Sequence, residues 1–337
     1  MKVLAGDFGG TKALLGIAAF AGEAPRFDFI RRYASADFSG IDALLARFRI
    51  DAGAALAGVT GACLAVAGPI DAGDRRARFT LLPWIAEADA LEKMLGIPLV
   101  LANDFAAVAA GIAILPAAGR LTLQTGEPLA NGVRLAIGAG TGLGMACLVP
   151  VAGQFSILPS EGGHIGFAPA DALQDEFAAF LRAEQGRATA QRVISGNGLV
   201  SLYRFLSARQ AVDWPDPLAA QDPAAAIGAR ALADPDSLAR RAVEVFMAAY
   251  GAFCGDMALA LMARGGVFLA GGVTQKLLPL LQAGTFMTAF NDKLDHVALA
   301  RRMPVHAVIE AEIGLQGAAV LARRAFSSLR IPVDRGQ

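Results

Sequence analysis

Cysteine is scarce in this sequence, and its distribution excludes two kinds of site. The three cysteines, Cys63, Cys147 and Cys254, lie far apart within apolar runs. An odd number at such spacing fits neither a disulfide framework nor a zinc site, because both need cysteines that approach one another. Histidine is equally scarce, with three in the chain, and no His/Cys/Asp cluster has metal-ligand spacing. The sequence therefore predicts a protein of a reducing compartment.

An excess of charge of either sign is also missing. Lys and Arg together number 30, and so do Asp and Glu, which gives a formal net charge of zero. Without a basic tract, we expect neither nucleic acid nor an anionic membrane as a partner. The longest apolar run, residues 105–118, is too short to span a bilayer and contains Pro116. The first strand begins at Val3 with no signal peptide before it, so we expect a cytoplasmic protein.

The length and the apolar pattern predict two α/β domains. At 337 residues, of which 55% are hydrophobic, the chain is long enough for two domains that each bury a core. Three strands over residues 2–33 precede alternating helices and strands, and this order returns from residue 121. We expect the boundary near residues 114–120 and a last helix over 313–327 that packs on the first half. The basic stretch 75–78 is expected to be a solvated loop.

A glycine-rich phrase follows a hydrophobic strand at two places in the chain. Residues 6–12 read Gly-Asp-Phe-Gly-Gly-Thr-Lys, and residues 138–144 read Gly-Ala-Gly-Thr-Gly-Leu-Gly. Two such turns facing each other could hold a polyphosphate between backbone N–H groups and threonine hydroxyls. Neither phrase is a P-loop, and the second is not a dinucleotide fingerprint, because its sixth residue is Leu143 and a strand-like run follows. The duplication indicates a nucleotide-handling protein with two lobes.

Two acidic positions near strand ends each have two explanations. Asp7, at the end of the first strand, either caps a hairpin or holds a Mg²⁺-bound water beside a phosphate. Asn103 and Asp104 lie between an apolar run and a helix. They are either the N-cap and a first-turn acid, or Asp104 is a general base, since ligands of open α/β sheets bind outside the carboxyl ends of the strands.

Three further glycine-containing phrases carry weaker signals. Glu161 and His164 flank two glycines, which is typical of a polyol site and equally of a surface loop with a capping glutamate. Gly271 and Gly272 end a strand and either admit a flat ligand such as adenine or form a plain strand-to-helix turn. The phrase at residues 195–199 is a turn and helix start that is uninformative alone.

In this order, these phrases resemble the bacterial glucokinase family. The resemblance runs from residues 6–11 to residues 312–318 and includes Asn-Asp-Phe at 103–105, Glu-Gly-Gly-His at 161–164 and Arg-Val-Ile-Ser-Gly at 192–196. It implies an α/β protein with the two-lobed actin-like ATPase (ribonuclease H-like) fold and a duplicated βββαβαβ core. The implied small domain is 1–115 plus 316–330 and the large domain 116–315, with nucleotide and sugar in the cleft between them.

The resemblance also implies the chemistry: ATP-dependent phosphorylation of glucose at its 6-hydroxyl. Asp104 would take the hydroxyl proton, and Asp7 would orient Mg²⁺ through water. The sugar would contact Asn103, Asp104, Glu161, His164 and Gln191. The nucleotide would contact Asp7, Gly9, Gly10, Thr11, Gly140, Thr141, Gly142, Gly271 and Gly272. The family often forms homodimers, so a homodimer is expected by resemblance.

Three positions depart from the family's usual pattern. Gln191 stands where the family usually has a glutamate that binds the sugar near its anomeric hydroxyl. Ser160 replaces a glycine, and Leu81 replaces an asparagine that usually follows Thr80. All three fall on or near sugar recognition, so the alternative reading is a kinase of the same fold for another hexose or hexosamine. A non-catalytic sugar- or nucleotide-binding protein is a further alternative, which the intact Asp7, Asp104 and glycine loops argue against. An actin-like filament protein is another, which the Glu161 and His164 loop argues against.

Overall fold

The chain folds into two compact units. The computed structural model describes residues 1–71, 73 and 75–327. The first unit is formed by Met1–Leu115 together with the described residues from Ala311 to Ser327, and the second by Pro116–Glu310. Residues 328–330, which the predicted small domain included, lie outside the described residues.

Most strands belong to one large sheet in each unit. The strands are β1 Lys2–Phe8, β2 Lys12–Ala19, β3 Arg26–Ala34, β4 Val59–Val66, β5 Arg76–Arg78, β6 Ile85–Glu87, β7 Leu99–Asn103, β8 Arg120–Gln124, β9 Arg134–Ala139, β10 Leu143–Val151, β11 Gln154–Ser160, β12 Gly266–Ala270 and β13 Val305–Val308.

Helices follow the strands in both units. They are α1 Ile41–Ala52, α2 Ala88–Leu95, α3 Asp104–Ala113, α4 Ala172–Gln185, α5 Ala190–Val193, α6 Gly196–Ser207, α7 Pro223–Ala233, α8 Leu238–Ala260, α9 Gly272–Lys276, α10 Leu278–Leu281, α11 Thr285–Asn291, α12 Val297–Arg301 and α13 Ile313–Phe326.

The two large sheets share one strand order. The first sheet runs β3-β2-β1-β4-β7, with an antiparallel β1–β2–β3 meander and with β4 and β7 parallel to β1. The second runs β11-β10-β9-β12-β13 in the same sense and adds β8, antiparallel, on the outer edge of β13. The predicted duplicated βββαβαβ core is therefore confirmed.

The first sheet is covered on both faces because its central strands are apolar on both. Along β1, Leu4 and Phe8 point to a core that includes Phe48 of α1, whereas Val3 and Ala5 point to a core that includes Leu315 of α13. This alternation follows from the two-residue period of a strand. The expectation that the last helix packs on the first half is confirmed.

Glycine brings α13 and α3 unusually close together. A Cβ built on Gly317 would lie 1.7 Å from the carbonyl oxygen of Ala107, and one on Gly111 would lie 2.4 Å from that of Ile313. Side chains at these positions would push the helices apart, so both glycines are needed for packing. The pair fixes the first turns of α13 against α3.

The second unit has a larger helical core, in which α8 is central. Its residues pack with those of α6, α7 and α11 around the buried side chains of β9 and β12. In the described part of the chain, α8 is the helix long and apolar enough to cross a membrane, and 61% of that stretch is buried inside the protein. Its apolarity is therefore accounted for by the core.

The structure corrects one sequence-based expectation. The basic stretch 75–78 is not a plain solvated loop, because β5 pairs with β6 in a small antiparallel sheet. Arg75 also forms ion pairs with Asp89 and Glu92 of α2 and donates to the carbonyl oxygen of Leu99. Two strands of three residues each give too short an alternation to be recognised in sequence.

Candidate active site

The first glycine loop, residues 9–11, is the hairpin turn between β1 and β2. The amide of Gly9 donates to the carbonyl oxygen of Lys12 at 3.0 Å. Among the described residues, the next two amides, those of Gly10 and Thr11, have no protein acceptor. Thr11 is exposed. Consecutive unpaired amides beside a free hydroxyl form a concave donor site suited to an anion such as phosphate.

The second glycine loop, residues 140–142, repeats this arrangement between β9 and β10. The amide of Gly140 donates to the carbonyl oxygen of Gly142 at 2.8 Å. The amides of Thr141 and Gly142 find no acceptor in the part of the chain that the structure describes, and Thr141 is exposed. Each unit thus presents two neighbouring N–H donors and a threonine hydroxyl.

The strand-to-helix turn after β12 lies against the second loop. Gly271 has a φ of 89°, which favours glycine, and a Cβ built there would lie 2.5 Å from the carbonyl oxygen of Ala139. At Gly272, by contrast, a Cβ would meet no neighbouring described atom within 4 Å. The structure therefore brings Gly271 and Gly272 beside Gly140, and leaves room at Gly272 for a flat group.

Asp7 is a half-buried carboxylate at the carboxyl end of β1. Burial raises its pKa to about 6, against the opposing pull of the Lys12 ammonium. Within the described residues no donor or cation pairs with it, and the Cα of Gly314 lies against it. A desolvated carboxylate that forms no ion pair among the described residues suits a hydrated cation, so Mg²⁺ is compatible with this position. Among the described residues, no group of three or more His, Cys, Asp or Glu side chains could hold a metal directly.

Asn103 and Asp104 lie at the end of β7, on the same sheet edge as Asp7. The side-chain oxygen of Asn103 accepts from the amides of Phe105 at 2.9 Å and Ala106 at 3.3 Å. The N-cap reading of Asn103 is therefore confirmed, and its Nδ2 lies 3.4 Å from the carbonyl oxygen of Gly68. Because β4 separates β1 from β7, Asp104 lies two strands from Asp7, or about 10 Å.

Glu161 and His164 bracket a short turn after β11. Their side chains approach to 3.7 Å, between Oε2 and Nε2, and both are more than half exposed. Ser160 Oγ accepts from the amide of Gly162 at 3.1 Å, so the serine is accommodated within the turn. A Cβ on Gly163 would lie 2.0 Å from the carbonyl oxygen of Leu143. The turn therefore packs against Leu143, the residue that directly follows the second glycine loop.

Gln191, in α5, also contacts Leu143. Its Oε1 accepts from the amide of Leu143 at 3.1 Å. The turn and α5 are joined by a bridge between Gly166 and Thr189 and by the amide of Ala190, which donates to Ile165. Three residues predicted to bind sugar, Glu161, His164 and Gln191, are thus brought together around Leu143.

A family model decides what this set of loops belongs to. The model described as Glucokinase matches residues 4–325, which is nearly the whole chain. The chain belongs to the glucokinase family. Curated glucokinases are similar over the same extent: that of Nostoc sp. strain PCC 7120 is 36% identical, covering 96% of this chain and 99% of its own. The glucokinase of Yersinia pestis strain Pestoides F is 37% identical, covering 95% and 96%.

Solved glucokinase structures agree in fold. A glucokinase from an Antarctic psychrotroph is 28% identical, with a TM-score of 0.80 over 96% of this chain and 99% of that one. A glucokinase from Balamuthia mandrillaris, solved with glucose, is 22% identical, with a TM-score of 0.81 over 96% and 93% of the chains, and supports the fold alone. The actin-like ATPase fold predicted from the sequence is confirmed.

Two features of this glucokinase-family site escaped sequence reasoning. The amide of Gly196, at the start of α6, donates to the carbonyl oxygen of Gly140 at 2.8 Å and supports the second loop. Leu81 lies against the first loop, because a Cβ on Gly10 would approach Leu81 Cδ1 at 2.7 Å. The order of the family phrases was the available signal for Gly196; the contact of Leu81 with Gly10 had none.

Proposed function

We propose that this protein transfers the γ-phosphoryl group of ATP to the 6-hydroxyl of glucose. The observation that carries the proposal is the pair of matching glycine turns, each with two neighbouring amides that have no acceptor among the residues the structure describes. Such donors stabilise phosphate oxygens, and phosphoryl transfer depends mainly on positioning and on charge stabilisation. Membership of the glucokinase family supports glucose as the acceptor.

For the nucleotide, we assign the phosphates to the residues of the two glycine loops. Thr11 and Thr141 would donate through their hydroxyls, and the adenine would lie at Gly272, where there is space. Mg²⁺, when bound, neutralises charge on the β- and γ-phosphates. Asp7 would hold its water ligands, which requires the ionised carboxylate.

For the proton, we assign Asp104 as general base. As the sugar O6 attacks the γ-phosphorus, the O6–H proton passes to the Asp104 carboxylate, the bond between the γ-phosphorus and the bridging oxygen breaks, and ADP leaves. A well-placed base contributes about 10²–10⁴-fold. The position of Asp104 at a parallel strand's carboxyl end, on the sheet edge that carries Asp7, supports this role.

For the sugar, we assign the exposed pair Glu161 and His164 together with Gln191. A carboxylate and an imidazole 3.7 Å apart offer acceptors and a donor to vicinal hydroxyls. Asn103 would contribute Nδ2, because its oxygen caps α3.

We further propose that the two units are the two domains, that the protein acts in the cytoplasm in glycolysis, and that it forms a homodimer.

A coupled ADP-release assay tests the proposal. ATP·Mg²⁺ is supplied with glucose, mannose, fructose, glucosamine, N-acetylglucosamine or N-acetylmannosamine. Turnover with glucose well above the other sugars is the expected result. Preference for another sugar would support a kinase of the same mechanism whose sugar specificity is altered by Gln191, Ser160 and Leu81. No turnover with any sugar would favour a binding protein.

A further inference from the structure

The backbone of Leu143 is the meeting point of the second glycine loop and the segment assigned to the sugar. Its amide donates to Gln191 Oε1 at 3.1 Å, and its carbonyl oxygen would lie 2.0 Å from a Cβ on Gly163. Leu143 directly follows Thr141 and Gly142, whose amides find no acceptor within the described part of the chain. Any displacement of Gln191 therefore acts on the loop through one residue.

The hydrogen bond fixes which way the Gln191 amide faces. A backbone N–H needs an acceptor, so the side-chain oxygen of Gln191 must lie toward Leu143. Its Nε2 has no acceptor among the described residues, and the side chain is only half-buried. The residue therefore presents a donor outward, where a glutamate would present a second carboxylate oxygen.

Gly142 makes this arrangement possible by its size. Its backbone is not in the left-handed region, so φ does not demand glycine there. A Cβ on Gly142 would nevertheless lie 2.8 Å from Gln191 Oε1 and 3.3 Å from its Cδ. The glycine and the glutamine are thus sterically paired, and a side chain at 142 would displace the amide from Leu143.

We propose that Gln191 is a positioning residue that couples the phosphate-binding loop to the sugar. Through Leu143 it holds Thr141 and Gly142 in the conformation that leaves their amides free, while its Nε2 donates to an oxygen of the sugar. The inference rests on the proposed function for the identity of both ligands, but the loop contact itself lies wholly within the second unit.

The test measures nucleotide affinity without sugar and without turnover. A non-hydrolysable ATP analogue with Mg²⁺ is titrated calorimetrically into the full chain and into two variants. Gln191→Met keeps the length but has no acceptor for Leu143, and should weaken analogue binding about fivefold, the worth of one ordinary hydrogen bond. Gln191→Glu keeps the acceptor and should retain affinity close to the parent's.

A second pair of variants guards against misfolding of Gln191→Met. Gly142→Ala displaces the same amide from the other side and should weaken analogue binding to a similar degree. The double variant Gly142→Ala/Gln191→Met should lose less than the two single losses combined, because both remove one contact.

Each outcome decides between the readings. Parent-like analogue binding by Gln191→Met, equal losses in Gln191→Met and Gln191→Glu, or independent losses in the double variant would overturn the coupling. A parent that binds the analogue but phosphorylates no sugar would defeat the proposed function and leave the coupling measurable. A parent that binds no analogue would overturn both.

Discussion

The Cα of Gly314 lies against the carboxylate of Asp7, so closely that a Cβ at 314 would come within 2.5 Å of Oδ2. Gly314 is in the first turn of α13, where the helix dipole favours a neighbouring carboxylate. The two residues come from nearly opposite ends of the chain. Their contact fixes where the proposed magnesium-orienting group lies.

Gly314→Ala should therefore reduce turnover without unfolding the protein. Alanine is favoured over glycine in a helix by up to about 1 kcal/mol, yet its Cβ would push Asp7 aside. A displacement of about 1 Å can cost about 10²-fold in rate. Steady-state kinetics and a thermal melt check this.

Gly317→Ala is the contrasting variant, because its Cβ would meet backbone, the carbonyl oxygen of Ala107, at 1.7 Å. It should lower the melting temperature strongly. Parent-like turnover by Gly314→Ala would show that the contact does not position Asp7.

Asp7 should make the protein's stability depend on pH. Burial raises its pKa from 3.8 to about 6, so the folded state binds the proton more tightly than the unfolded state. Protonated Asp7 does not oppose folding, so the protein is most stable with respect to this group below pH 4. This stability is lost as the pH rises through 6 and the buried carboxyl ionises. Asp7→Asn should raise the free energy of unfolding by about 1–2 kcal/mol over that of the parent at pH 8 and should leave it unchanged at pH 4. This figure discounts the pKa shift for the partial exposure of Asp7.

Urea unfolding at the two pH values measures the difference. Binding of an ATP analogue with Mg²⁺ supplies an independent check, since the parent should lose affinity below pH 6 as Asp7 protonates. A stability difference that is the same at both pH values would contradict the assignment of the raised pKa to Asp7.

Asp104→Ala should remove nearly all phosphorylation while leaving nucleotide binding largely intact. Without the base, the 6-hydroxyl must lose its proton to water, and turnover should fall by about 10²–10⁴-fold. Asp104→Asn is the matched variant, because it retains shape and polarity without basicity. Turnover within severalfold of the parent in either variant would remove Asp104 from the role of base.

Gln191→Glu should lower the KM for glucose. One carboxylate oxygen can still accept from Leu143, and the other offers a charge-assisted hydrogen bond to a sugar hydroxyl, which is stronger than a neutral one. A gain of about threefold to tenfold is expected for about 1 kcal/mol. An unchanged or higher KM would place Gln191 outside the sugar site.

The order of strands and helices along the chain follows from sequence, because it depends on local pattern. The strand at β7 and the capping side chain of Asn103 are read from neighbouring residues alone. The contacts Gln191–Leu143 and Gly314–Asp7 are not, since each joins residues distant in the chain and depends on tertiary packing. The direction of the Gln191 amide in particular needs the position of its donor.

A stability prediction concerns Asp213, which is buried in the second unit. Its carboxylate accepts from the amides of Leu238 at 3.0 Å and Ala239 at 2.9 Å, at the start of α8, and from the Tyr203 hydroxyl at 3.2 Å. Asp213→Ala leaves these donors unpaired and should lower the free energy of unfolding by about 3 kcal/mol. Tyr203→Phe removes the hydroxyl, which donates to the Asp213 carboxylate and accepts from the amide of Asp213 at 3.2 Å, and should cost about 2 kcal/mol. Equal stability of Asp213→Ala and the parent, by urea titration, would contradict this.

The most direct test of the central claim is the chemical identity of the product. Glucose is incubated with ATP·Mg²⁺ and the protein, and phosphorus–proton correlation NMR locates the new phosphate ester. We predict one ester, on O6 of glucose, formed together with an equal amount of ADP and formed at least about 10²-fold more slowly with Asp104→Asn. A phosphate on another oxygen, or ADP formed without any sugar phosphate, would contradict it.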